Sequence, residues 1–163
     1  MHTTTLLHKL YQYKAWANNE LFNLLNTLPV DEHLSEMDDA KRILNHVYVV
    51  DQIFTANLQC KPHSFKALNT PETPSVADLQ VMVETADNWF IAYVNSLSET
   101  DLNENIDFIF VDGKPGRMSR AEMLLHVVTH GNYHRGAVGR ILAQIAVTPP
   151  RDSLTVFLHS ANN

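Results

Sequence analysis

The sequence predicts an all-α protein folded as a four-helix bundle, and three observations predict it. Apolar residues recur at intervals of three and four along four segments of roughly 22 to 28 residues each. Prolines or capping residues bound these segments. Apolar residues alternate in only one stretch, which is too short to form a sheet domain. Four amphipathic helices can bury their apolar faces only against one another, which is the logic of a bundle.

The first two helices are predicted in the N-terminal third of the chain. The first spans residues 3–28, with apolar residues on one face and Pro29 as its stop. The second spans about 37–60 and ends at Lys61-Pro62. Three prolines and small polar residues between 62 and 74 predict a loop rather than a linker between domains.

The third helix is predicted to begin at a capping box in which Asp78 replaces the usual Glu opposite Ser75. It runs to about Leu97. Between Asn103 and Met118, alternating apolar residues flank tight-turn dipeptides such as Asp112-Gly113. This pattern predicts a short hairpin or extended loop between helices three and four.

The fourth helix is predicted from a full capping box formed by Ser119 and Glu122. It runs to about Ala146, before Pro149-Pro150 breaks the pattern. Residues 153–159 are expected to add a final turn or two of helix.

Composition bounds the kind of protein that these helices build. A chain of 163 residues with 45% apolar and 18% charged residues predicts one globular domain over 1–163. A formal charge of −6 and the absence of any basic run argue against nucleic-acid binding. No segment is apolar enough to span a membrane, and Cys60 is alone. We therefore expect a cytoplasmic protein without a disulfide, a nucleic-acid partner or a membrane partner.

Three histidines of the fourth helix, His126, His130 and His134, follow one another at intervals of four. They lie on one side of the helix, but one ion cannot use all three. His126 and His134 are about 12 Å apart along the axis, whereas zinc and its nitrogen ligands are separated by about 2.1 Å. The usable pair is either 126 with 130 or 130 with 134.

A helical wheel chooses between the two pairs. With His134 at zero and about 100° per residue, the apolar stripe of the helix lies between roughly −20° and +40°. His134 falls within the stripe, His130 flanks it at about −40°, and His126 is turned away to about −80°. The inward pair is His130 and His134.

His46 occupies the apolar face of the second helix, where a charged imidazolium would be costly to bury. Neutral imidazole is a common ligand of transition metals, so three inward histidines predict a divalent metal site. The other interpretation is a polar seam without metal, in which each ring bonds a neighbour. Spacing alone leaves these two interpretations open, and the zinc-protease and di-iron motifs are both absent.

The sequence also resembles the DinB family of metal-binding four-helix bundles along nearly its whole length. The strings that carry the resemblance are Tyr13-Lys-Ala-Trp16-Ala17-Asn18, Ile43-Leu44-Asn45-His46 and His126-Val-Val-Thr-His130-Gly-Asn-Tyr-His134-Arg135-Gly136. The resemblance implies a metal site of His46, His130 and His134, with zinc or nickel as the ion. The family's usual Gln after His-Arg-Gly is Ala137 here, so the role of that Gln is missing.

The resemblance further implies a function and an assembly state. Related bundles include transferases and isomerases in which the metal activates a low-molecular-weight thiol such as bacillithiol or mycothiol. We therefore expect a homodimeric, metal-dependent thiol S-transferase or hydrolase acting on a small molecule. The alternative is a non-catalytic stress-response protein in which the ion is structural. The sequence identifies no catalytic residue beyond the ligands, and it assigns no role to His126.

Overall fold

The computed structural model of the chain describes residues 3–29 and 32–160. Six helices and one two-stranded sheet form in these ranges. In chain order the elements are α1 (Thr3–Leu25), α2 (Leu34–Leu58), α3 (Val76–Ser96), α4 (Glu99–Leu102), β1 (Asn105–Ile109), β2 (Pro115–Ser119), α5 (Arg120–Gln144) and α6 (Leu154–Ser160). The predicted all-α bundle is confirmed, and α5 is the fourth long helix of the prediction. No helix in the described ranges is long and apolar enough to cross a membrane.

The four long helices pack as a closed ring of neighbours. α1 packs on α3 and α5, and α2 packs on the same two helices from the other side. α2 and α5 are therefore adjacent along their length. This adjacency brings the histidines of α2 opposite those of α5.

The hairpin between α4 and α5 is confirmed as a short antiparallel sheet. Its strands pair from Asn105 with Ser119 to Ile109 with Pro115. Ile106 and Phe108 are buried, and β1 packs on α2 through this face. The hairpin thus covers one end of the bundle without forming a sheet domain.

Helix caps explain where α3 and α5 begin. The Ser75 hydroxyl accepts a hydrogen bond from the backbone N–H of Asp78, and Ser119 forms a reciprocal capping box with Glu122. The other predicted bounds agree with the structure to within three residues. α2 begins at Leu34 after His33 in the left-handed conformation, and α1 ends at Leu25 in a turn ahead of Pro29.

The interior is divided into two apolar clusters by a layer of polar side chains. One cluster is centred on Tyr11, Phe54 and Phe90, and the other on Phe22 and Leu79. Between them lies what we call the polar layer, formed by Lys14, Asn18, Asp51, Asp87 and Arg135, all buried. Its member on α5, Arg135, directly follows one of the predicted ligands in the chain, so the layer lies next to the histidines.

Candidate metal centre

The structure brings the three predicted ligands together at the contact between α2 and α5. His130 and His134 are one turn apart on α5, so both rings face His46 on α2. Ring centroids are separated by 4.4 Å for His130 and His134, 4.7 Å for His46 and His134, and 5.0 Å for His46 and His130. One nitrogen from each ring lies within 4.8 Å of the others, so the group could hold a metal ion.

A backbone carbonyl fixes the orientation of His46. Its Nδ1 lies 2.8 Å from the carbonyl oxygen of Leu68, in the connection between α2 and α3. A carbonyl can only accept, so Nδ1 carries the proton and Nε2 carries the lone pair. That Nε2 lies 3.1 Å from Nε2 of His130. Histidine ligands of metals are commonly oriented in this way, by a hydrogen bond from the ring nitrogen that does not bind the metal.

The environment of His130 and His134 keeps both rings neutral. Burial, followed by the neighbouring imidazoles of His134 and His46, lowers the pKa of His130 to about 3. Burial and His46 also lower the pKa of His134. Because a metal competes with the proton for the same lone pair, neutral rings are ready to bind without losing a proton first.

The donor set fits a divalent transition metal. Three neutral imidazole nitrogens suit zinc, nickel, copper or iron better than they suit magnesium or calcium, which prefer oxygen. A seam held only by hydrogen bonds accounts for the contact between His46 and His130. A hydrogen-bonded seam does not explain the position of His134, which makes ring contacts but no hydrogen bond within the described ranges. Such a seam also gives the buried Nδ1 of His130 no hydrogen-bond partner in the part of the chain that the structure describes.

Two further rings lie beside His46, His130 and His134, which we call the triad. His126 stacks on His130 at 5.4 Å and contacts the Phe54 ring at 4.7 Å, outside the group of three. This position agrees with the helical wheel, which turns His126 away from the site. Tyr133 lies edge-on to His134 at 5.1 Å and is 76% exposed, so it forms the solvent side of the site.

Behind the triad lies an ion cluster that the sequence did not predict. The Lys14 ammonium donates to Asp51 at 2.7 Å and to Asp87 at 2.6 Å, and all three side chains are buried. Arg135 continues the polar layer by donating to Asn18 at 3.1 Å. A lysine inside an amphipathic pattern is normally at the surface, so no sequence signal marked Lys14.

Gly131 lets this cluster approach the metal centre. A methyl group on its Cα would lie 3.5 Å from Cε of Lys14 and 3.3 Å from Nη1 of Arg135. The helix backbone beside His130 therefore packs closely against the two cations. A side chain at residue 131 would be slightly tight against the Arg135 guanidinium, which favours a small residue between the two predicted ligands.

Comparison with known proteins agrees with these observations. A model of the DinB family matches residues 1–163. Protein DinB of Bacillus subtilis (strain 168) is 27% identical over 145 residues, which covers 83% of this chain and 84% of that protein.

Proposed function

The chain belongs to the DinB family, and on that premise we propose that it is a metal-dependent enzyme. In this proposal His46, His130 and His134 hold one divalent ion, zinc or nickel. The activity is that of a thiol S-transferase or a hydrolase acting on a small molecule. The observation that carries the proposal is the convergence of three, and not four, nitrogen donors within 4.8 Å.

The number of donors separates catalytic from structural sites. Structural zinc sites are closed by four protein ligands, whereas catalytic ones have three and keep a position for water or substrate. No carboxylate or thiol joins the three histidines in the described part of the chain. All three rings are partly exposed, so a small molecule can reach them from solvent.

When bound, the ion would lower the pKa of a thiol or water and so supply a nucleophile at neutral pH. The residues of the chain hold the donors in place. Leu68 fixes the ring plane of His46, and the helical spacing of α5 fixes the other two rings. In a transfer reaction the thiol sulfur bonds to the electrophilic carbon, its proton passes to solvent, and the leaving group departs with the bonding electrons.

The test of the site is elemental analysis of purified protein beside single alanine variants. Wild type is expected to carry one equivalent of metal, and His46→Ala and His130→Ala are expected to lose most of it. His126→Ala is the matched control, because this ring stacks on His130 but lies outside the group of three. Unchanged metal content in both ligand variants would show that the assignment is wrong.

The test of the activity is a thermal-shift screen of small thiols on metal-loaded protein. A thiol that occupies the open position raises the melting temperature of wild type and not of His134→Ala. The competing proposal is that the ion has a purely structural role and holds α2 against α5. In that case no thiol changes the melting temperature of the metal-loaded protein.

A further inference from the structure

A cleft of the described part of the chain lies away from the triad. It has a volume of about 550 Å³ and lies between the hairpin and the segment that follows α2. We call it the hairpin cleft. The side chains that give it its chemical character are Asn57, Lys61, His63, Phe65, Lys66 and Phe110. None of these residues has a role in the proposed metal chemistry.

Aromatic rings form the apolar walls of the hairpin cleft. Phe108 and Phe110 meet edge to face at 4.9 Å on the hairpin side, and Phe65 lines the opposite side. The two hairpin rings pack directly over Gly116, where an added Cβ would lie 2.6 Å from Phe108 and 2.8 Å from Phe110. Contact with the backbone at Gly116 therefore restricts the movement of both rings. Walls of this kind favour a flat, apolar ligand.

Two residues that line the hairpin cleft each carry a buried polar atom with no hydrogen-bond partner among the described residues. Asn57 is 7% exposed, and its Nδ2 donor is unpaired. Nδ1 of His63 is also buried and unpaired. A buried donor without an acceptor is exceptional in a native protein, because it carries the full cost of desolvation. An acceptor on a bound ligand would satisfy Asn57.

The hairpin cleft also carries uncompensated positive charge. Lys61 and Lys66 line it, and neither forms an ion pair with a described residue. Lys61 donates instead to the neutral amide of Gln59 at 2.9 Å. The lining carboxylate, Asp107, is engaged by Arg117 at 3.0 Å. In a chain of net charge −6, this local excess of lysine favours an anion.

We propose that the hairpin cleft binds a small carboxylate with a flat aromatic body. The aromatic body lies between the phenylalanine rings, and the carboxylate accepts from Asn57 and is attracted by the two lysines. Asn57 is eleven residues beyond His46 on α2, or about 16 Å along the helix axis. The hairpin cleft is therefore a second site, and ligand binding there does not depend on the metal.

The experiment measures binding of 1-naphthoate by isothermal titration calorimetry, using the full chain with EDTA present. Saturable binding with one site is expected. Two related molecules test the two halves of the ligand: 1-naphthamide lacks the charge and acetate lacks the aromatic body. Both are expected to bind at least tenfold more weakly. The same measurement on His134→Ala is expected to give the wild-type affinity, which separates this site from carboxylate binding at the triad.

Variants then locate the ligand. Lys66→Gln is expected to weaken naphthoate binding about threefold to fivefold, as for loss of one exposed charge pair. Phe110→Ala, at a half-exposed position, is expected to weaken it at least threefold. Lys9→Gln removes the same charge from the exposed face of α1 and is expected to change nothing. Wild-type affinity in either cleft variant, or no saturable binding, overturns the proposal.

The sole cysteine of the chain offers an independent readout. Cys60 is exposed and lines the hairpin cleft. Saturating naphthoate is expected to slow its alkylation by iodoacetamide, a neutral reagent that does not compete for the lysines. An unchanged alkylation rate would place the bound naphthoate elsewhere and would also overturn the proposal.

Discussion

At the scale of single residues, Lys14 is the most consequential side chain that the sequence did not reveal. Its ammonium lies between Asp51 and Asp87 with no exposure to solvent. One cation faces two carboxylates, and one oxygen of Asp51 has no hydrogen-bond partner among the described residues. Burial therefore raises the pKa of Asp51 to about 6, although Lys14 opposes the shift. Two buried anions depend on one buried cation.

Replacing that cation gives a prediction about stability and pH. Lys14→Met is expected to lower the free energy of unfolding by about 3 to 5 kcal/mol at pH 8, because it leaves buried charge unpaired. A carboxyl whose folded pKa is raised stabilises the fold below its unfolded pKa, and that stability is lost as pH rises through the folded pKa. Loss of Lys14 should raise the pKa of Asp51 further, so the variant takes up a proton at a higher pH than wild type does. The difference in unfolding free energy between wild type and variant should therefore shrink as the pH is lowered from 8 to 5. Urea unfolding at several pH values measures it.

The matched control is Lys9→Met, which removes an exposed lysine from the same helix. Its effect on the free energy of unfolding should stay within about 0.5 kcal/mol at every pH. If Lys14→Met were as stable as this control at pH 8, Asp51 and Asp87 would not depend on the lysine for their charge.

The three histidines that the structure brings together could be predicted from the sequence, but the contacts that support them could not. Helical spacing and the apolar stripe of α5 were enough to choose His130 and His134 over His126. The carbonyl of Leu68 that orients His46 left no signal, because every residue carries a backbone carbonyl. Pairing in the polar layer is equally invisible, since it joins residues from three helices that only the fold brings together.

At the scale of helices and strands, the sequence was most informative where side chains cap a helix. Ser75 and Ser119 gave the starts of α3 and α5 correctly. α2 begins at Leu34, earlier than predicted, and the side chain of His33 before it forms no cap that could have marked the start. The short helix α4 was missed, although Ser98 and Asp101 form a capping box that could have revealed it. Caps are local chemistry, whereas uncapped ends depend on tertiary packing.

The hairpin offers a prediction based on close packing. Gly116→Ala would place a methyl group within 2.8 Å of both Phe108 and Phe110, and Phe108 is buried. Displacing these rings is expected to cost about 1 to 3 kcal/mol of folding free energy. Urea unfolding and the near-ultraviolet circular dichroism of the aromatic residues measure the change.

Gly136→Ala is the control with the opposite expected sign. This glycine lies inside α5, and an added Cβ would meet nothing within 4 Å. The substitution should stabilise the protein by about 0.5 to 1 kcal/mol, because alanine loses less backbone entropy in a helix. Equal effects of the two substitutions would contradict the close packing of the hairpin rings over Gly116.

At the scale of the whole molecule, we expect the fold not to depend on an ion at the three histidines. The two apolar clusters and the ion cluster of Lys14 hold the four long helices together without the triad. Chelation of the metal is therefore expected to leave the helical circular dichroism and cooperative unfolding intact. The loss of stability should equal the lost binding free energy, about 2.7 kcal/mol if free metal was at 100 times its Kd.

A different outcome would favour the structural role of the ion. If the chelated protein lost its helical signal and regained it on adding zinc, folding and metal binding would be coupled as in small zinc domains. Differential scanning calorimetry of the chelated and reloaded protein measures both the transition and its reversibility.

The position of the polar layer has a consequence for how the helices are aligned lengthwise. If α2 slid past its neighbours by one turn, about 5.4 Å, Asp51 would leave Lys14 and enter an apolar cluster as a bare charge. The polar layer therefore favours one lengthwise alignment of the helices and destabilises an alignment shifted by one turn. That same offset sets the imidazoles of α2 and α5 at matching heights, so the packing of the helices itself brings the three histidines together.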